Sequence, residues 1–145
     1  MIKNISALVF LGIVLISCNV FKCKKEDSVS KLEGSWELNY ITGPRIAFNG
    51  LYPDKKPTIN FNLKENQVSG NNSCNSFTGK LSVTGNKIDF THPMISTKMM
   101  CMDGQGEQVF MNTLQKVTSY TITDDGKTLN FMSGGDIAIM RFSKE

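Results

Sequence analysis

The sequence predicts a mainly β domain of antiparallel hairpins with one helix packed against it. Three observations point there. Apolar and polar residues alternate over short runs, the period of a half-buried strand. Turn residues separate those runs at short intervals. One segment, residues 107–117, changes to helical spacing. About seven or eight strands are expected from the runs that follow.

Trp36, Leu38 and Tyr40 alternate with Glu37 and Asn39. Ile59, Phe61 and Leu63 repeat the pattern, and Lys64-Glu65-Asn66 turns the chain into Gln67-Val68-Ser69. Phe77 to Val83 is the next run. Gly85-Asn86 then leads into Ile88 and Phe90, and glycine in the first turn position suits a type II′ turn. Tyr120 and Ile122 precede Asp124-Asp125-Gly126, and Leu129 and Phe131 follow. The last strand, Ile137 to Phe142, is apolar on both faces, so Ile137/Ile139 and Ala138/Met140/Phe142 compete for the inside.

Thr42 to Pro57 is less regular. Pro44, Pro53 and Pro57 deny ladder donors and argue against a central strand. Asn49-Gly50 offers a small hairpin there. In the helical segment Phe110, Leu114 and Val117 share one face, flanked by Met111. Gly104-x-Gly106 reads as a hinge-like lead into this helix, and Glu107 as an acid favoured by the helix dipole.

With 145 residues the chain holds one domain rather than two. A net charge of +3 is too mild for a nucleic-acid partner. Hydrophobic content of 40%, with nine Phe, argues against disorder. The one histidine, His92, excludes most His-based catalytic and hydrolytic metal sites. Ser76 or Ser96 as nucleophile would need that histidine, and no nucleophile elbow occurs. Asp54, Asp89, Asp103, Asp124, Asp125 and Asp136 are scattered over turns and element ends. The expectation is a non-enzymatic, monomeric domain without a cofactor.

The N-terminus reads as an address. Lys3 precedes an apolar run from Ile5 to Ile16, too short to span a membrane and right for a signal-peptide core. It ends in Leu15-Ile16-Ser17-Cys18, which resembles a bacterial lipobox. That resemblance implies cleavage before Cys18 and acylation of its thiol and new amine, holding the protein on a membrane by lipid. The other reading is an ordinary signal peptide followed by a free cysteine. Asn19 resembles the residue that follows the cysteine in outer-membrane lipoproteins. Lys25-Glu26-Asp27 resembles an export tag of surface-exposed lipoproteins, though further from Cys18 than usual. The expected divisions are a leader at 1–17, a lipidated polar tether at 18–33 and the domain at 34–145.

Two cysteine segments carry a family resemblance. Cys74-Asn75-Ser76-Phe77-Thr78-Gly79 is followed by Thr97-Lys98-Met99-Met100-Cys101. Cys-Asn-x-Phe-x-Gly and then Thr-x-Met-x-Cys, with Gly34-Ser35-Trp36-Glu37-Leu38 ahead of them, resembles the META/HslJ domain family. The motif residues are Asn75, Phe77, Gly79, Thr97 and Met99. Glu107 to Leu114 and the Val117–Tyr120 step fit the family's order. The resemblance implies a small antiparallel β-barrel-like, curled meander with a packed helix. It also implies an envelope protein, in a family linked with heat or antibiotic stress and without a defined biochemical activity. The family commonly has Gly where this chain has Ser73; a positive φ there would strain the serine.

With Cys18 lipidated, Cys23, Cys74 and Cys101 remain. Cys74 and Cys101 lie in the two family motifs, and in an oxidising compartment a disulfide between them is expected, worth about 3–4 kcal/mol before strain. The alternative is two separately buried thiols. Asn72 and Asn75 suit tight turns beside such a bond, through side-chain bonds to backbone and tolerance of left-handed φ. Met94, Met99, Met100 and Met102 cluster around Cys101. Thioethers favour Cu(I), so Met99, Met100 and Met102 form a candidate copper set, against the plainer reading that methionine fills core gaps, Met99 in particular.

Function therefore has three readings. The first is a non-enzymatic outer-membrane lipoprotein, anchored through Cys18, with a protein-interaction or envelope-integrity role. The second is a binder of a small apolar ligand such as lipid, held between sheet and helix. The third is envelope copper capture.

Overall fold

The computed structural model describes residues 27–101 and 104–145. The expected leader, the lipobox-like segment with Cys18, Cys23, most of the expected tether and Met102 lie outside the described residues.

Ten strands form one antiparallel sheet that curls into a half-barrel, with three short helices. In chain order the strands are β1 (Gly34–Ile41), β2 (Thr58–Asn62), β3 (Gln67–Asn71), β4 (Ser76–Lys80), β5 (Ser82–Thr84), β6 (Lys87–Asp89), β7 (Ile95–Ser96), β8 (Ser119–Thr123), β9 (Thr128–Met132) and β10 (Ala138–Lys144). The helices are α1 (Asp27–Ser30), α2 (Phe48–Leu51) and α3 (Gln105–Leu114). Across the sheet the order is β5-β6-β8-β9-β10-β1-β2-β3-β4-β7.

That order explains the curl. β5 is the first strand of the sheet and β4 the ninth, yet Leu81 alone separates them in sequence. One residue spans at most about 7 Å between its neighbours, so the two ends of the sheet must meet there. Leu81 is buried at this corner, and its N–H donates to Asn66 O at 2.8 Å.

The count exceeds the expected seven or eight strands for two local reasons. The run from Phe77 to Val83 is two strands, broken where the chain crosses between sheet ends. β7 is only two residues long and carries an exposed Ile95, so it has no alternating signature. The Asn49-Gly50 hairpin is instead the single turn of α2, whose Leu51 is buried.

Turn chemistry follows the residues. Thr84 pairs with Lys87 across Gly85-Asn86, and Gly85 has φ +60° while Asn86 is not left-handed, as a type II′ turn requires. Between β8 and β9, Asp124, Asp125 and Gly126 all take positive φ.

The open question at the last strand resolves to Met140 and Phe142, both fully buried. Ile137 is exposed, and a register shift against β9 lies between Ala138 and Met140. Six phenylalanines form one continuous aromatic chain through the core: Phe77–Phe110, Phe110–Phe142, Phe142–Phe131, and Phe131 with both Phe61 and Phe90, at centroid distances from 5.2 to 6.5 Å. The face expected for the helix is the buried one, Phe110, Leu114 and Val117; α3 ends at Leu114, and Val117 packs from the exit turn.

The packed unit takes in Leu32, just ahead of β1. Leu32 is fully buried, and its carbonyl accepts the Trp36 indole N–H at 2.9 Å. Lys144 closes this end from β10. Its ammonium sits 4.2 Å from the centre of the Trp36 ring and donates to the Glu33 carbonyl. Desolvation there lowers the Lys144 pKa, partly offset by the Glu33 carboxylate.

Candidate functional site

The two cysteine segments meet at the start of α3. Cys74, just before β4, and Cys101, just before the helix, are disulfide-bonded with Cα atoms 6.1 Å apart. Around that bond the motif side chains form a closed hydrogen-bond network.

Asn75 is its centre and is almost fully buried. Its Oδ1 accepts from Met99 N–H at 2.7 Å and from the Thr97 hydroxyl at 2.8 Å. Its amide donates to the Glu107 carboxylate, 3.1 Å from each oxygen. Asn72, fully buried, donates to the same carboxylate at 3.0 Å. The Asn72 Oδ1 accepts the backbone N–H groups of Cys74 and Asn75, at 3.2 and 2.7 Å. This is the local bonding expected of asparagine in a tight turn. The left-handed residue is neither asparagine but Ser73, at φ +88°.

The remaining motif residues pack. Phe77 lies 5.8 Å from the Phe110 ring and joins β4 to α3. A Cβ on Gly79 would sit 2.9 Å from Met94 Cγ, so this glycine admits the chain that crosses it. Thr97 N–H donates to Ser76 O at 3.0 Å, extending the β4–β7 pairing.

Met99 corrects an expectation. Its side chain is not core but 65% exposed, and Met100 beside it is wholly exposed. The motif uses the main chain of Met99, both its N–H and its carbonyl, which accepts from Asn75 Nδ2 at 3.3 Å. Of the candidate copper set, Met99 and Met100 are exposed and Met102 lies outside the described residues; the neighbouring Cys101 is held in the disulfide.

Two other expectations change. Gly106 is not a hinge: a Cβ there would lie 2.5 Å from Leu51 O and 2.9 Å from the Tyr52 ring. The glycine lets α3 press against α2, and the Tyr52 hydroxyl donates to Gly106 O at 3.1 Å. Burial pushes the Tyr52 phenol pKa well up. Glu107, in the first helical turn as the dipole favours, does more: it ties the helix to both asparagines. Its role was within reach of the sequence. Cys101 lies six residues before Glu107, and Cys74 immediately precedes Asn75, so pairing the cysteines makes carboxylate and amide neighbours.

Between helix and sheet, where the second reading would hold an apolar ligand, Phe110 packs on Phe77 and Phe142, and Leu114 is buried beside it. Grooves occur at the surface instead. One of about 340 Å³ runs between β6 and the end of α3, with Ile88 and Val117 at its floor and Lys87, Asp89 and Gln115 around it. Among the described residues no group of three or more His, Cys, Asp or Glu side chains could hold a metal ion. His92 is exposed, with Nε2 3.9 Å from Asp89 Oδ2.

The META domain family matches residues 29–145, which takes in the junction, the buried Leu32 and the whole sheet. The chain belongs to the META domain family. The META fold recurs in an NMR structure of a protein from Burkholderia xenovorans, with a TM-score of 0.62 and 21% identity over 80% of this chain and 85% of that one. A second NMR structure aligns with a TM-score of 0.53 and 16% identity, covering 78% of this chain and 90% of the other. At these identities the likeness concerns the fold alone. No curated protein matches the chain.

Proposed function

We propose that this META-domain chain is a non-enzymatic lipoprotein of the bacterial outer membrane, anchored through Cys18, whose domain serves protein interaction or envelope integrity under stress. One observation carries the reading. The polar side chains at the motif junction, Asn72, Asn75, Thr97 and Glu107, satisfy one another beside a disulfide. A group bound in this way maintains a scaffold; a catalytic base or nucleophile needs a free lone pair facing a substrate. The disulfide suits an oxidising compartment, and the lipobox at Leu15–Cys18 supplies the address.

The test is the intact mass and membrane partition of the exported full-length chain in a bacterial host. The expected product begins at Cys18, carries three acyl chains and sediments with the outer membrane, and Cys18→Ser releases it. A soluble, unacylated product from the wild-type chain overturns the reading.

A further inference from the structure

We propose that Met99 and Met100 form an oxidant-acceptor site, which takes oxygen from peroxide as methionine sulfoxide while the fold stays intact. Three fixed points hold this segment. Thr97 donates its N–H to Ser76 O at 3.0 Å and its hydroxyl to Asn75. Met99 donates its N–H to Asn75 Oδ1 at 2.7 Å. Cys101 is closed on Cys74. The main chain is thereby pinned on both sides of Met100, while the two residues are 65% and 102% exposed.

The other described methionines differ. Met132 is 8% exposed and Met140 fully buried, and Met94 and Met111 pack against the core. Thioether oxidation follows access of the oxidant to sulfur. The step balances without a cofactor. A sulfur lone pair attacks one oxygen of hydrogen peroxide and the O–O bond breaks. Sulfur keeps that oxygen, losing two electrons, and the second oxygen leaves as water with both protons. The neighbouring cysteines are already a disulfide, so they offer no competing thiol.

The product changes the surface rather than the fold. A sulfoxide is polar, so two exposed apolar side chains become polar ones. The bonds that hold the loop use the backbone of Met99 and the side chains of Asn75 and Thr97, none of which contains a thioether. The site rests on exposure and main-chain anchoring, so it stands or fails apart from the lipoprotein reading.

The experiment treats the full chain with hydrogen peroxide and follows each methionine by fragment-ion mass spectrometry, alongside thermal melting. Met99 and Met100 should each gain one oxygen about tenfold faster than Met132 and Met140, with Tm unchanged within about 2 °C. Equal rates at the buried methionines, or loss of the melting transition as Met99 and Met100 oxidise, would overturn it. A double variant, Met99→Leu with Met100→Leu, should take up two fewer oxygens. Unchanged uptake would overturn it as well.

Discussion

The amide of Asn75 lies 3.1 Å from both carboxylate oxygens of Glu107, thirty-two residues further along the chain. This contact joins the turn before β4 to the first turn of α3, and it turns two short motifs into one structural junction. Replacing the amide by a second carboxylate would set like charges against each other in a half-buried site. Asn75→Asp should therefore cost about 2 kcal/mol at pH 7. The loss should shrink as pH falls through the ordinary carboxylate range, because protonating either acid removes the repulsion. Urea denaturation at pH 7 and pH 4 measures this, and a loss independent of pH would argue against the contact.

Ser73 holds φ +88°, in a region that suits glycine, directly after Asn71 and Asn72, whose side-chain oxygens accept the backbone N–H groups of Ser73 and Cys74. Relieving it with Ser73→Gly should raise stability by about 1 kcal/mol, the strain outweighing the added freedom of the unfolded chain. A lower urea midpoint for the variant would show the turn to be relaxed as it stands.

Gly106 and Gly104 are two residues apart and face opposite surroundings. A Cβ on Gly106 meets the Leu51 carbonyl and the Tyr52 ring, whereas one on Gly104 meets nothing within 4 Å. Gly106→Ala should cost about 2–3 kcal/mol through overpacking, and Gly104→Ala should stay within about 0.5 kcal/mol of the parent. Equal effects would mean that α3 does not press on α2.

Tyr52 links stability to alkaline pH. Burial raises its folded pKa above the unfolded value, so the folded chain keeps a proton that the unfolded chain releases. Its contribution is complete below about pH 10 and is lost as pH rises from there. Tyr52→Phe should cost about 1 kcal/mol at pH 7, from the hydrogen bond to Gly106 O. It should also lose stability less steeply above pH 10. Some slope should persist, because burial raises Tyr120 too. Parallel curves for parent and variant up to pH 11 would exclude the linkage.

Most strands were legible because their burial alternates: Trp36 and Leu38, Ile59 and Phe61, Leu129 and Phe131 all point inward. The helix was legible from Phe110, Leu114 and Val117 for the same reason at a different period. β7 was not, because two residues with an exposed Ile95 carry no pattern. The last strand was ambiguous because apolar Ile137 lies on the surface. Met99 misled because its residue type suggested packing while the junction uses its backbone, which no side-chain pattern reports. Leu32, between Lys31 and Glu33, is buried beneath the Trp36 indole bond and the Lys144 cover.

The Asn75–Glu107 double-mutant cycle tests most directly whether the family motifs form a stability element. Urea denaturation of the parent, Asn75→Ala, Glu107→Ala and the double variant, all with the disulfide intact, should give a coupling of about 1–2 kcal/mol. Additive losses, with coupling near zero, would mean that these two side chains act separately and that the motifs do not meet as described.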